Sequence, residues 1–278
     1  MKNFSIIILF LSLGLMSCKS EFEKLRTSSE PKEIYKSAMA YYDQEDYVKA
    51  QTLFEIVIPY YRGNKEAEDL YFKYANTHFY LQEYILASHY YKNFATTYYS
   101  SDKKEEAEYM AAYSKYKLSP NHRLDQTSSL EAIDAFQNFT NNFPESERVA
   151  ECNKLIDELR DKLEEKAFNE GKLYFDLNRY DSSIRAFENM LKDYPDAQQA
   201  EEVRFLILKS SYLLAKNSIY EKKKERFEQC IVKYELFNKK YSKSSFSKEA
   251  EKIYSNSLNE LNTFNHVGHK DASTESRS

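Results

Sequence analysis

The side chains able to do chemistry are few and scattered. Three cysteines stand at Cys18, Cys152 and Cys230, with histidines at His78, His89, His122, His266 and His269. A thiol nucleophile needs a base within hydrogen-bond reach, and no histidine neighbours Cys152 in the chain. His266 and His269 have an i, i+3 spacing that suits two metal ligands, but no third ligand accompanies them. Neither H-E-x-x-H nor G-x-S-x-G can be written. Gly14, Gly63, Gly171 and Gly268 stand too far apart to cradle a phosphate. The pair Glu164–Glu165 sits in a charge-rich stretch and reads as a solvated face, not an acid/base pair. Lys+Arg 40 against Asp+Glu 44 leaves a net charge of −4, so no positive field recruits nucleic acid. What abounds is 25 Tyr and 18 Phe, with no Trp. Such rings offer apolar contact area plus hydroxyl groups. The chemistry on offer is binding, with no catalysis and no cofactor.

The remaining thiol, Cys18, has a different context. Lys2 gives a short basic start, and Phe4 to Met16 form an almost uncharged apolar run. Thirteen helical residues span about 20 Å, short of a roughly 30 Å hydrocarbon core, so the run reads as a signal peptide over 1–17. Leu15-Met16-Ser17-Cys18 resembles the lipobox of bacterial lipoproteins. That resemblance implies a diacylglycerol on the Cys18 thiol, cleavage before it and an acyl group on the new amine. Several acyl chains make a stable membrane anchor. Lys19 follows where Asp would hold an enterobacterial lipoprotein in the inner membrane, which favours the outer membrane, facing the periplasm. Cys152 and Cys230 then remain. One bridge between them is open in an oxidising compartment, but two cysteines make no disulfide framework, and buried free thiols are the preferred reading.

In the elements that hold these side chains, apolar residues recur at helical spacing from Pro31 to Phe264. Gly and Pro are too rare for the many tight turns of a sandwich, barrel or dinucleotide-binding sheet. Four stretches resemble one another: DYVKAQTLFEIV (46–57), EYILASHYYKNF (83–94), SSLEAIDAFQNF (128–139) and RYDSSIRAFENM (179–190). Their triplets are Ala50/Phe54/Val57, Ala87/Tyr91/Phe94, Ala132/Phe136/Phe139 and Ser183/Phe187/Met190, with a looser copy at Cys230/Tyr234/Phe237. Ala38, Ala75 and Gly171 each stand twelve residues before a triplet's small residue, where two helices would approach closely. This is the tetratricopeptide helix–turn–helix pattern of about 34 residues. The fold class is therefore all-α, a solenoid of about five degenerate repeats. Small-to-small spacings of 37, 45, 51 and 47 residues require insertions, near Leu118–Gln126 and in the Lys/Glu-rich 216–226. A long helix is predicted over 148–177 and a capping helix over 247–263. The expected organisation is a lipidated linker (18–30), N-terminal repeats one to three (31–144), C-terminal repeats four and five with the cap (145–264), and a disordered tail (265–278).

In a tetratricopeptide stack the first helix of each repeat lines a concave groove. Aligning the repeats on Ala38, Ala75 and Ala112 places Tyr35, Tyr42, Phe72, Phe79, Tyr80, Tyr109, Tyr113 and Tyr116 there, with Met39 and Asn76. Plain core filling does not require rings at those positions. They would bind an extended peptide carrying aromatic side chains.

The lipobox, FEKL at 22–25, the repeat ends NNFP (141–144) and KDYP (192–195), and the capping helix together resemble the BamD family, lipoproteins of the β-barrel assembly machinery. The resemblance spans nearly all of the mature chain. It implies a scaffold without a catalytic centre. N-terminal repeats would recognise C-terminal targeting signals of unfolded barrel proteins, and C-terminal repeats would dock on a POTRA domain of a BamA-like outer-membrane protein. A tetratricopeptide lipoprotein serving pilus assembly or envelope division would share the anchor and repeats. A SusD-like glycan-binding lipoprotein is disfavoured, because that family is much longer and uses Trp platforms.

Overall fold

With so few helix breakers, segments of good helix formers run until a turn is imposed on them. The computed structural model describes the backbone of residues 21–275, with side chains as far as Phe264. The signal segment 1–17 and the lipidation residue Cys18 lie outside the described residues. A short helix, α1 (Glu21–Arg26), precedes five antiparallel pairs. These are α2 (Pro31–Asp43) with α3 (Tyr47–Tyr61), α4 (Ala67–Tyr80) with α5 (Tyr84–Thr97), and α6 (Lys104–Leu118) with α7 (Thr127–Asn142). Then follow α8 (Val149–Asp176) with α9 (Tyr180–Asp193), α10 (Ala200–Lys216) with α11 (Tyr220–Lys240), and the last helix, α12 (Ser247–Glu275). No strand occurs among the described residues. The class is all-α, of tetratricopeptide type.

The turns explain why five pairs fit in a chain with four glycines. Within three pairs the turn carries a left-handed residue, Glu45, Gln82 or Asn178, at φ 61°, 61° and 58°. Each sits in the same Schellman closure, as in Gln82 N to Phe79 O (3.0 Å) and Glu83 N to His78 O (2.8 Å). Between pairs a second turn recurs. The carbonyls of Tyr61, Tyr98, Phe143, Tyr194 and Tyr241 each accept from the amide three residues on. In three of these turns a serine hydroxyl reaches back to the carboxylate that opens the preceding first helix: Ser101 to Glu68 (2.6 Å), Ser146 to Glu105, and Ser244 to Glu201 (2.6 Å). Aromatic-x-x-Ser thus marks the repeat ends as a bond between neighbours.

The core follows the predicted triplets. Every one of their residues is buried except Tyr234, whose ring stacks on Tyr254 at 4.4 Å. Ala38, Ala75 and Ala132 are fully buried at helix crossings. A Cβ on Gly171 would come within 2.5 Å of the Phe187 ring, and the Gly171 carbonyl accepts from Ser183 Oγ at 3.0 Å. Each fully buried Phe contributes about 1.5–3 kcal/mol of transfer free energy.

Three expected boundaries move. The linker (18–30) contains α1, whose Phe22 and Leu25 pack on the first repeat's core, with Phe22 edge-on to Tyr41 at 5.9 Å. The insertion expected in 216–226 is mostly helical and forms the opening turns of α11. The last helix continues to Glu275 where a disordered tail was expected from 265, since no proline interrupts it. Two compact units exist: residues up to Pro120 with Asp125–Leu159, and Asn121–Leu124 with residues from Arg160 onward. Their division falls at Leu159/Arg160, inside α8, and not at 144/145.

A candidate peptide-binding strip

Helical periodicity puts residues at −3, +1 and +4 from a buried alanine on one flank of its helix. In α2, α4 and α6 this flank carries the rings singled out above, and the first unit links most of them through stacked and edge-on contacts. Tyr42 meets Tyr47 at 5.7 Å, and Tyr47 stacks on Tyr80 at 4.4 Å. Tyr80 touches Phe79 (6.1 Å), and Phe79 reaches Tyr84 (5.5 Å) and Tyr113 (6.0 Å). Tyr113 is stacked between Tyr109 and Tyr116, each at 5.7 Å. The result is one aromatic strip across three repeats.

The members differ in exposure. Tyr80 is 50% exposed, whereas Tyr109 is only 4% exposed and packs against Phe136 and Phe139. The guanidinium of Arg148, ion-paired with Glu106, covers the Tyr109 ring at 4.0 Å. Tyr109 is therefore the base beneath Tyr113 and offers no surface of its own. Tyr35 and Phe72 do not join the strip. Tyr35 stacks on Tyr61 at 4.7 Å, and Phe72 sits edge-on to Tyr91 and Phe94 with Lys103 above it. Conversely, Tyr47 and Tyr84, the opening residues of α3 and α5, belong to the strip although they stand on second helices. Their signal was present: in the aligned stretches a tyrosine stands three residues before Ala50, Ala87 and Ser183.

Polar groups fix the strip's edges. Asn76 Nδ2 donates to Tyr42 Oη (2.9 Å) while Asn76 Oδ1 accepts from Tyr91 Oη (2.6 Å). Tyr116 Oη donates to Glu158 Oε2 at 2.9 Å. Burial pushes the hydroxyls of both Tyr42 and Tyr116 up to about 12, so both stay neutral donors at any physiological pH. Lys73 lies 5.0 Å from the Tyr42 ring centre. The arrangement can hold apolar side chains and hydrogen-bond a backbone, and it contains no nucleophile–base pair.

Other reactive groups serve the scaffold. His78 is buried, with Nδ1 2.6 Å from Glu83 Oε2, and its ring stacks on Tyr90 at 4.7 Å. Cys152 and Cys230 are buried free thiols, and burial pushes Cys152 up to about 11, away from thiolate reactivity. No group of three His, Cys, Asp or Glu able to hold a metal occurs among the described residues. A cleft of the first unit, about 620 Å³, opens between α5, α6 and α7 and is lined by none of the strip's rings.

Paired helices closed over small residues, with an aromatic flank along the first helices, define a tetratricopeptide-type helical repeat protein. The chain belongs to the YfiO family, described as outer membrane lipoprotein, whose sequence pattern matches residues 27–226. It is BamD-like. It is 22% identical over 207 residues to the outer membrane protein assembly factor BamD of Rickettsia prowazekii, covering 74% of this chain and 82% of that one. Two solved structures are also similar. One is the TPR2AB-domain:pHSP90 complex of yeast Sti1, with TM-score 0.36, 12% identity and coverage of 82% of this chain and 98% of that chain. The other is the assembly chaperone of RpL4, Acl4, with TM-score 0.27, 10% identity and coverage of 86% and 99%. Among the described residues no helix is long and apolar enough to cross a membrane.

Proposed function

We propose that this protein is a non-enzymatic scaffold of outer-membrane β-barrel assembly, held at the outer membrane by lipid on Cys18 and facing the periplasm. Its N-terminal unit would bind unfolded barrel proteins, and its C-terminal repeats would dock on a BamA-type POTRA protein. The observation that carries the reading is the aromatic strip from Tyr42 to Tyr116, on a chain of this family. An extended segment with alternating apolar side chains could lay every second one between rings, while its backbone meets tyrosine hydroxyls. Ordering a flexible segment opposes binding, so affinity stays modest and release rapid, as a handover scaffold needs.

The test is titration of a labelled C-terminal peptide of a barrel protein against the lipid-free chain, with a scrambled peptide as control. Tyr80→Ala should weaken binding by about 1–2 kcal/mol, within the range of an interface hot spot. Tyr113→Asp should weaken it further by setting a charge against apolar groups. Unchanged binding by both folded variants would make the strip purely structural. For the anchor, Cys18→Ala should release the protein from sedimented membranes after a high-salt wash; retention without a partner would contradict it.

A further inference from the structure

The register that buries the triplets also sets a row of side chains outside the core. Two residues before the small residues Ala50, Ala87 and Ala132 stand Val48, Ile85 and Leu130, in the first turn of α3, α5 and α7. They are 61%, 71% and 53% exposed, and Leu86 beside Ile85 is exposed as well. The same register in the second unit, two residues before Ser183 and Cys230, holds Asp181 and Glu228, both exposed. Aliphatic groups in water at this position are therefore no requirement of the repeat, and exposed apolar patches commonly mark contact surfaces. The charged residues nearest the row in the chain are already engaged on the protein. Lys49 meets Asp46 at 2.5 Å, Glu83 meets His78 at 2.6 Å, and Glu131 meets Lys115 at 3.3 Å. The row offers apolar contact and asks for no counter-ion.

The start of the chain reaches the fold at this same edge. Phe22 of α1 meets Tyr41 at 5.9 Å, and Tyr41 lies 5.0 Å from Lys49 Nζ. Tyr41 and Lys49 bracket the turn 44–46 that joins α2 to α3. Only three residues lead from Cys18 to Glu21, a reach of at most about 11 Å. A lipid on Cys18 would therefore hold this turn, and with it the first turn of α3, close to the bilayer.

We propose that this edge of the first unit lies on the lipid surface, with Val48, Ile85 and Leu130 immersed at the boundary between headgroups and acyl chains. A few aliphatic side chains bind a membrane weakly from solution, but a tether raises their effective concentration there, so weak contacts suffice to orient the unit. Tyr47 and Tyr84 stand next to Val48 and Ile85, and tyrosine favours the membrane–water interface, where its ring is apolar and its hydroxyl wet. Both tyrosines also belong to the aromatic strip, so the strip would run beside the bilayer that a barrel enters. The inference rests on the lipidation of Cys18 and not on substrate binding.

The chain holds no Trp, so a single introduced one reports its own surroundings. The full chain, purified from membranes with its anchor, is reconstituted in phosphatidylethanolamine/phosphatidylglycerol vesicles with and without acyl-brominated lipid. Trp fluorescence of Ile85→Trp and Leu130→Trp should be quenched roughly threefold or more beyond that of Tyr99→Trp, whose position is 76% exposed in the turn at the opposite edge. Adding Val48→Asp to Leu130→Trp should cut its quenching by about half, through an acid that the second unit carries at the same register. Thermal melts identify any variant that is misfolded. Equal quenching at positions 85, 130 and 99, on vesicles that carry the protein, would overturn the membrane edge, leave the anchor standing and assign the row to a protein contact. Failure of the wild-type chain to float with the vesicles would overturn the anchor, and this inference with it.

Discussion

The two units build the same repeat and use its exposed flank differently. In the first, the positions −3, +1 and +4 from the crossing alanines hold mostly rings, and most of those, Tyr35 and Phe72 apart, join one strip across repeats. In the second, the corresponding positions around Gly171 hold Phe168, Lys172 and Phe175, with Asp176 next. Phe168 and Phe175 turn into the core beside Phe187 and Ile184, while Lys172 and Asp176 stand exposed. Small crossing residues and aromatic triplets are thus the requirement of the scaffold. A run of half-exposed rings is not, since the second unit folds without one. Contiguous exposed apolar patches on a folded surface commonly mark interaction sites, which is what the proposed function assigns to these rings.

If the scaffold is shared, breaking it should cost the same in either unit. Phe136→Ala and Phe187→Ala remove fully buried rings at equivalent triplet positions. Each is expected to lose about 3–5 kcal/mol in urea unfolding, the range for a buried aromatic truncated to a cavity. A clear inequality would show that the two cores are not equivalent.

A smaller effect separates the crossings. Ala38 and Ala75 occupy theirs without strain, whereas a Cβ at Gly171 would overlap the Phe187 ring. Gly171→Ala gains roughly 1 kcal/mol of helix propensity and forces a buried ring to move. A net loss of about 1–2 kcal/mol is expected, read as a lower urea midpoint. Equal stability would mean that Phe187 has room to shift.

Acid should act on the first unit through His78. Burial pulls its pKa below 6.5, against an opposing pull from Glu83 and Glu55, while Gln51, Tyr74 and Tyr90 add no charge at neutral pH. The folded chain then holds this proton less tightly than the unfolded one. The contribution to stability is fully present above about 6.5 and is lost as pH falls through and below that value. Unfolding midpoints of wild type and His78→Gln between pH 7.5 and 5 should converge on acidification; a constant gap would remove His78 from the account.

Much of this architecture was legible in the chain. The triplets and the long helix over 149–176 follow from spacing alone, because a buried face must repeat with the helix. Other parts were hidden for physical reasons. The left-handed turn positions carry Glu45, Gln82 and Asn178, so no glycine announced them. Tyr109 has the same register as Tyr35 and Phe72, yet it is sealed by Arg148 from the next repeat, which helical periodicity within α6 cannot reveal.

The smallest effects should be common to both units. Gln82→Gly and Asn178→Gly relieve a left-handed side chain in identical turns, and each should gain about 0.5 kcal/mol, less for Asn, which tolerates that region better. A loss at either turn would show that its side chain makes a contact worth more than the strain.

The contrast between the flanks is tested most directly by photo-crosslinking in intact cells. A photoreactive amino acid placed at Tyr80 or Tyr113 in the first unit, and at Lys172 in the second, samples the two surfaces in the same chain. The account predicts adducts with newly exported barrel proteins from positions 80 and 113, competed by excess barrel C-terminal peptide, and none above background from position 172. Equal labelling from position 172, or no barrel adducts from 80 and 113, would contradict the assignment of the aromatic strip as the substrate surface.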